Sequence, residues 1–435
     1  MLRTSINTMK TQQETIPFTG YQKLVVFILA FTQFTVILDF MIMSPLGDML
    51  MKSMSLKPAA FGVAVSAYAF SAGISGLLTA GFADKFDRKK LLLFFYLGFT
   101  AGTVLCGMAH TYPMLLAARI ITGLFGGVIG SISMAIIADL FALQQRGRVM
   151  GFVQMGFGAS QVLGVPIGLY LANHFGWEMP FFLTAGLAGI ITVAIIVKLK
   201  PVTAHLLVQR DKSALLHLWH TVAKRDYRVG FAATALLSIG GFMMMPFGSA
   251  FAINNLHITQ QQLVVLFMIS GASAVIVMPI VGKLSDKISK FKLFAAASVW
   301  TMIMCVIYTN LSVTPLWLVV ILNVLMMIGI LSRMVPSQAL TSAVPDMEDR
   351  GAFMSINASL QQIAGGVAAA AAGLIVVQQT KFSPLENYNI VGYVVVVIST
   401  CSILLLNRVS KLVDRKAINN ALAVKQEEIV LSEGL

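Results

Sequence analysis

The sequence predicts an all-α membrane protein whose twelve transmembrane helices form two pseudo-symmetric six-helix bundles. Three observations predict it. The 435 residues are 57% hydrophobic and 11% charged, with mean hydropathy +0.83. A soluble domain has too little interior for that much apolar surface, so most of the chain must be solvated by lipid. The apolar residues gather into runs of about 20, the length a helix needs to cross the hydrocarbon core. Two short basic turns recur in the same setting between such runs, AGFADKFDRKK at 80–90 and GKLSDKISKFK at 282–292.

Residues 1–22 form a polar amino-terminal segment, with Lys10, Gln12, Gln13 and Glu14 where a signal peptide needs an apolar core, so the first apolar run is expected to act as an uncleaved anchor. The spans fall at about 23–46, 60–81, 91–109, 113–138, 150–173, 180–198, 230–252, 263–281, 292–310, 315–338, 353–377 and 389–407. Their length without alternation excludes barrel strands, and lipid leaves no other solution than helices. The chain thus divides into a bundle at 23–199, a linker at 200–228, a second bundle at 229–408 and a tail at 409–435. Of the 31 Lys and Arg, all but Lys52, Lys57, Lys381, Arg119 and Arg333 fall on the face that carries both termini. By the positive-inside rule both termini are cytoplasmic, which makes a multi-pass inner-membrane protein the expectation.

That distribution also accounts for the net charge of +13, so no nucleic-acid partner is expected; the lipid bilayer is the partner that composition implies. Cys106, Cys305 and Cys401 lie inside apolar runs and read as small hydrophobes, not as a disulfide framework. No Walker A loop, HExxH or CxxC motif occurs, so no metal site, cofactor or enzymatic activity is expected, and the chain is read as a monomer. In the linker, Leu207, Leu215, Leu216, Leu218 and Trp219 alternate with His217, His220, Lys224 and Arg225. This suits either an amphipathic helix on the membrane surface or a solvated tether. The tail beyond Asn419 reads as a frayed helix or as disorder.

Placing Arg146-Gly147 on Arg350-Gly351 gives an internal offset of about 204 residues. The same offset carries Ser160, Gly164 and Gly168 onto Ala364, Ala368 and Ala372, a small-residue stripe at i, i+4 and i+8 in the fifth and eleventh spans. Such stripes let helix backbones approach closely in lipid. Duplicated six-helix halves are the plan of several secondary transporters, with the substrate site near the midplane between the halves.

The first basic turn resembles the signature loop of the major facilitator superfamily, GxLaDrxGrk, with Ala80, Phe82 and Asp87 as departures. The second copy keeps Gly282, Leu284, Asp286 and Lys287 and has Ser289 and Lys290 at the later positions. The resemblance implies a gate in which Asp84 and Arg88 join Asp139 at the inner end of the fourth span. Asp286 and Lys290 form the second copy, which faces Ala343 where Asp139 maps. A purely topological role for Asp84 and Arg88 is the alternative. Arg119-Ile-Ile-Thr-Gly123 resembles the family's RxxqG motif in the fourth span.

An arginine within a membrane helix costs several kcal/mol unless it is paired or wetted, and Asp39 is the only acidic residue deep in any span. Burial and a neighbouring cation pull a carboxylate's protonation in opposite senses, so substrate can tip it. The drug:proton antiporter branch of the superfamily carries a first-helix Asp, and the resemblance implies proton coupling through Asp39 and Arg119. A static pair joining the first and fourth spans, and an Asp39 that faces an outer vestibule, stay open as alternatives. In the fifth span Ser160, Gly164, Pro166 and Gly168 resemble the antiporter motif gxxxGPxxGG; Val165 and Leu169 depart from it. Pro166 is expected to kink the helix.

Gln33, Gln154, Asn323, Arg333, Gln338, Asn357 and Gln361 are the candidate substrate-cavity side chains. Arg333 suits either an anionic substrate or the inner gate. The resemblance implies a secondary transporter of the drug or sugar-nucleoside efflux permease type, exporting a small-molecule substrate by antiport with protons. The alternatives are a uniporter or proton symporter of a sugar-like or nucleoside-like solute, and a non-transporting membrane sensor.

Overall fold

The computed structural model describes residues 17–80, 82–207, 214–346 and 348–433, with the side chains of Ala80, Asp84, Leu143, Ala204, Leu207, Ala214–His217, Asp286, Ala417 and 419–433 left outside the description. Twelve helices are long and apolar enough to cross a membrane. In order these spans are Gly20–Ile42, Pro58–Thr79, Arg88–Gly107, Tyr112–Leu140, Gln144–Phe175 and Met179–Lys198 in the first half. The second half has Arg225–Asn254, Gln260–Ser285, Lys290–Thr309, Leu316–Ser342, Arg350–Ile375 and Tyr388–Lys416. Among the described residues the sole β pairing is one isolated bridge, Val377 to Glu386.

Local sequence explains where these helices bend. Pro166 has no N–H to offer the carbonyl four residues back, and the fifth span answers with a π-helical turn over Ser160–Gly164. The equivalent eleventh span, with Ala370 at that position, runs unbroken over Arg350–Ile375. The seventh span, expected to be regular, breaks after Phe242. Met245–Phe247 forms a 3-10 turn around Pro246 before the helix resumes at Gly248–Asn254. The first span ends at Ile42, short of the expected 46, because Ser44-Pro45 turns the chain into a separate helix, Gly47–Ser53.

Two connections differ from expectation. The helix of the twelfth span continues to Glu433, with no proline or glycine between positions 392 and 434 to stop it. In the linker a helix forms over Ala214–Ala223, so Leu207 lies outside it. Leu218 packs against the apolar cluster of the second half while Trp219 is 71% exposed.

The halves meet at one end only in their main apolar core. We call the end bearing the turn 82–87 and the linker the basic end. At the opposite end a single cluster draws on both halves, joining Leu38, Ile42, Phe61 and Leu169 to Phe247, Phe251, Leu266 and Tyr388. At the basic end the buried residues form two clusters, Ile28, Tyr96, Ile136 and Ile195 in the first half and Tyr227, Phe294, Phe353 and Leu406 in the second, with Leu77 of the second span packed against the latter. The seam between the second and eleventh spans is so close that a methyl group on Gly62 would lie 2.8 Å from the Ala369 carbonyl oxygen. The seam between the fifth and eighth spans is equally close at Gly271, where a methyl group would lie 2.6 Å from the Gln161 carbonyl oxygen. Toward the basic end that second seam opens, and Gly151 and Gln154 on the same helix face are exposed.

Candidate functional site

The first half holds a fully buried ion pair. Arg119 enters from the second turn of the fourth span, and its Nη1 donates to Asp39 Oδ2 of the first span at 2.8 Å. Thr103 of the third span donates to the other oxygen of Asp39 at 3.2 Å. The Tyr68 ring of the second span closes the site, its centroid 4.5 Å from the guanidinium carbon. Asp39, Thr103 and Arg119 have no exposed surface at all, so four helices meet on one charge pair. An Asp39 facing an outer vestibule is therefore not what this arrangement shows; packing from Tyr68 and the neighbouring spans encloses it. Arg119 keeps Nε and Nη2 buried without a hydrogen-bond partner among the described residues. The pair therefore has spare donors, and a change at Asp39 leaves Arg119 free to bind another acceptor.

The fifth span supports this site from behind. Ser160, Gly164 and Gly168 are buried. Methyl groups on Gly164 and Gly168 would come within 2.7 Å of Leu38 and 2.8 Å of Ile42 in the first span. Small residues here set the distance between the helix that carries Asp39 and the helix that Pro166 bends.

At the basic end, Arg88 Nε lies 3.3 Å from Asp139 Oδ2, and its Nη1 donates to the Ala83 carbonyl at 3.0 Å. The side chains of Asp84 and Asp286 lie outside the described residues. A residue that sequence reasoning passed over completes the cluster. His205 of the linker places Nδ1 3.2 Å from Asp139 and Nε2 3.1 Å from the Phe86 carbonyl. Asp87 caps the third span through Lys89 N at 2.9 Å and also accepts from Val202 N at 3.0 Å, so the linker is stitched onto the turn.

Among the described residues Lys290, which starts the ninth-span helix, has no ion pair matching that of Arg88. The basic end of the second half is tied elsewhere. Tyr227 Oη lies 2.9 Å from Asp346 and 2.8 Å from Asp349, Lys416 donates to Asp346 at 2.8 Å, and Lys224 pairs with Asp349. The hydrogen bonds from Lys416 and Tyr227 hold the Asp346 carboxyl below the usual carboxylate range, and Asp349 holds the Lys224 ammonium above its ordinary value.

A polar cluster at the opposite end was also not anticipated. Asp48 is almost fully buried and accepts from Lys52 at 2.8 Å, Asn254 at 2.7 Å and Gln260 at 3.1 Å. Ser44 donates to the Met245 carbonyl, Ser249 to the Ser44 carbonyl at 2.6 Å, and Asn173 to the Gln260 carbonyl at 3.0 Å. All but the Lys52 bond to Asp48 cross from one half to the other. The signal in the sequence is weak: an acidic residue in a short connection reads as solvated.

The candidate cavity residues scatter. Beneath the opposite-end cluster lies a small apolar cleft between the halves, lined by Phe40, Met43, Val65, Phe242, Met245 and Ala369. None of the seven named polar candidates lines it. Gln33 faces the fourth span, 3.7 Å from where a methyl group on Gly130 would sit. Asn323, at the position matching Arg119, accepts from Ser270 at 2.5 Å and joins the eighth and tenth spans. Gln154 and Gln338 are exposed, Gln361 is half-buried, and Asn357 Oδ1 is buried without a partner among the described residues. Arg333 is 4% exposed, with Nε and Nη2 likewise unpartnered among the described residues. Among the described residues no group of three or more His, Cys, Asp or Glu side chains suits a metal ion.

Comparison with known proteins agrees with this architecture. The family model described as Major Facilitator Superfamily matches residues 29–370. An uncharacterized MFS-type transporter of Bacillus subtilis, YbcL, is 25% identical over 384 residues, 88% of this chain and 95% of that protein. Multidrug resistance protein 2 of the same organism is 24% identical over 299 residues, 67% of this chain and 74% of that protein. Among solved structures, a bacterial homolog to the human lysosomal transporter Spinster, inward-facing and unoccupied, superposes with TM-score 0.73 at 14% identity. It covers 92% of this chain and 99% of its own, a likeness of fold.

Proposed function

The chain belongs to the major facilitator superfamily, and on that premise we propose that it exports a small organic molecule across the cytoplasmic membrane in exchange for protons. The observation that carries the reading is the buried pair of Asp39 and Arg119. A carboxylate in a dry site held by one arginine and one threonine is a proton acceptor whose occupancy depends on that arginine. When Asp39 is neutral, Arg119 loses its partner and the packing of the first and fourth spans changes. That gives protonation a means of biasing the halves between two arrangements.

The rest of the molecule fits this cycle. The halves are joined by hydrogen bonds at the opposite end, and the seam between the fifth and eighth spans opens toward the basic end while the second and eleventh spans stay close as far as Gly76 and Ser359; this supports a transporter partly open toward the side that the Lys and Arg tally reads as cytoplasmic. The cluster of Arg88, Asp139 and His205 is read as part of a gate at the basic end. The printed name of Multidrug resistance protein 2 and the small-residue motif before Pro166 favour export and a partly apolar substrate. The apolar lining of the cleft at Phe40, Met43 and Phe242 suits such a molecule.

The test is transport by everted membrane vesicles carrying the protein, read with a fluorescent lipophilic dye as probe. Uptake that rises with an imposed pH gradient and collapses with an uncoupler supports the reading. Uptake indifferent to the gradient removes proton antiport, and outward movement of the dye down its own gradient alone points to a uniporter.

A further inference from the structure

The geometry points to a binding site for a carboxylate on the transported molecule, built around Arg333 in the second half. This deepens the transporter reading and rests on it. Arg333 stands in the tenth span with 4% exposure, and its Nε and Nη2 have no hydrogen-bond partner among the described residues. The face of the Phe294 ring lies 5.7 Å from the guanidinium carbon, a contact worth about 0.5–2 kcal/mol. That does not offset the burial of an unpaired cation, which costs several kcal/mol within a membrane. The first half shows the contrast, since its buried Arg119 has Asp39.

Among the described residues no carboxylate is paired with Arg333. The acidic residues beyond Tyr227 are Asp286, Asp346, Glu348, Asp349, Glu386, Asp414 and the tail glutamates, all in connections, at helix ends or in the tail. Asp39 is held by Arg119 and Asp48 by its own donors. Polar groups of the right kind do surround the position. Gly329, one turn from Arg333, packs on Thr301 of the ninth span. Ser298 lies on that helix between Thr301 and Phe294, at the level of Arg333, and its hydroxyl is buried and unpartnered among the described residues. A guanidinium fork with a neighbouring hydroxyl is a donor set for a carboxylate. The neighbouring Met334 and Val335 are part-exposed and Gln338 is exposed. The ligand is thus an organic acid with an apolar body, its carboxylate completing the charge pair that the second half lacks.

The experiment uses the purified full-length protein in detergent, with thermal stability as readout and no pH gradient. Benzoate, salicylate and decanoate are titrated at constant ionic strength, with benzamide as the neutral counterpart and inorganic phosphate as the anion without an apolar body. At least one carboxylate should raise the melting temperature saturably, while benzamide and phosphate should not. In Arg333→Met the half-saturating concentration should rise by about 10–100-fold, the loss of one charge-assisted bond. Without ligand, Arg333→Met should melt above the native protein, because an uncompensated buried charge has been removed.

The proposal is overturned if none of the three carboxylates raises the melting temperature, or if Arg333→Met responds as the native protein does. A lower melting temperature for unliganded Arg333→Met assigns Arg333 a structural role instead, and equal protection by phosphate removes the organic ligand. Because binding is read at equilibrium, loss of proton coupling in Asp39→Asn leaves this result standing, and failure here leaves antiport of neutral or cationic molecules standing.

Discussion

Asp39 and Arg119, eighty positions apart in the chain, meet at 2.8 Å with neither side chain exposed. Removing one partner leaves the other charged in a dry site, at a cost of about 3–5 kcal/mol. Arg119→Ala should therefore lower the melting temperature steeply, and Asp39→Asn less so, since asparagine is neutral and keeps Thr103 as a neighbour. In the double variant Asp39→Asn with Arg119→Gln, thermal melts should recover much of the loss from Arg119→Ala. Additive losses would show that the two side chains are not energetically coupled.

The two basic turns should prove unequal. Arg88 reaches Asp139 and the Ala83 carbonyl, whereas Lys290 begins its helix and Ala343 stands at the position matching Asp139. Initial transport rates should fall several-fold more in Arg88→Ala than in Lys290→Ala. Equal effects would indicate that both turns act only through topology.

Asp48 links the halves through Asn254 and Gln260, and each such charge-assisted bond contributes about 1.5–3 kcal/mol to the closed opposite end. Asp48→Ala should shift the population toward an arrangement open at that end. A single cysteine at Val65, beside the cleft, should then react faster with an impermeant thiol reagent added from outside, by about 10-fold or more. Unchanged labelling would mean that the apolar core alone holds the end shut.

Stability at low pH should report the second half's basic-end cluster. Lys416 and Tyr227 hold Asp346 below its ordinary range, so its contribution is present above the unfolded carboxylate value of about 4 and is lost as pH falls through the folded value. The Asp346 side chain is 60% exposed, which limits that contribution to about 0.2–1 kcal/mol. Asp346→Asn should melt slightly below the native protein at pH 7, and the gap should close as the pH falls through the lowered value of the folded state. A gap that persists there would assign the effect to packing of Tyr227.

Much of the architecture is legible in the sequence because lipid imposes so few solutions. Twelve apolar runs had to become helices, and Pro166 had to disturb the fifth. The contact between Asp39 and Arg119 follows the same logic, since the one acid deep in a span needed a cation and Arg119 lies in the same half. What escaped was set by tertiary contacts between residues that look ordinary in the chain. Asp48, Asn254 and Gln260 sit in or beside short connections, and nothing in their spacing says that three helices bring them together. His205 lies in a linker whose leucines drew attention to membrane binding, yet it docks on Asp139. The break at Pro246 was masked by an apolar run of ordinary length. The polar cavity candidates were chosen by residue type alone, and helix rotation decided which of them face another span and which face outward.

The central claim is that Asp39 carries the exchanged proton. It is tested by reconstituting native and Asp39→Asn protein in proteoliposomes and following one transported compound in two modes. Exchange of labelled for unlabelled compound without a gradient should persist in Asp39→Asn, which shows a folded and cycling protein. Accumulation driven by an imposed pH gradient should be lost in that variant and retained in the native protein. Gradient-driven accumulation that is equal in both would contradict the account.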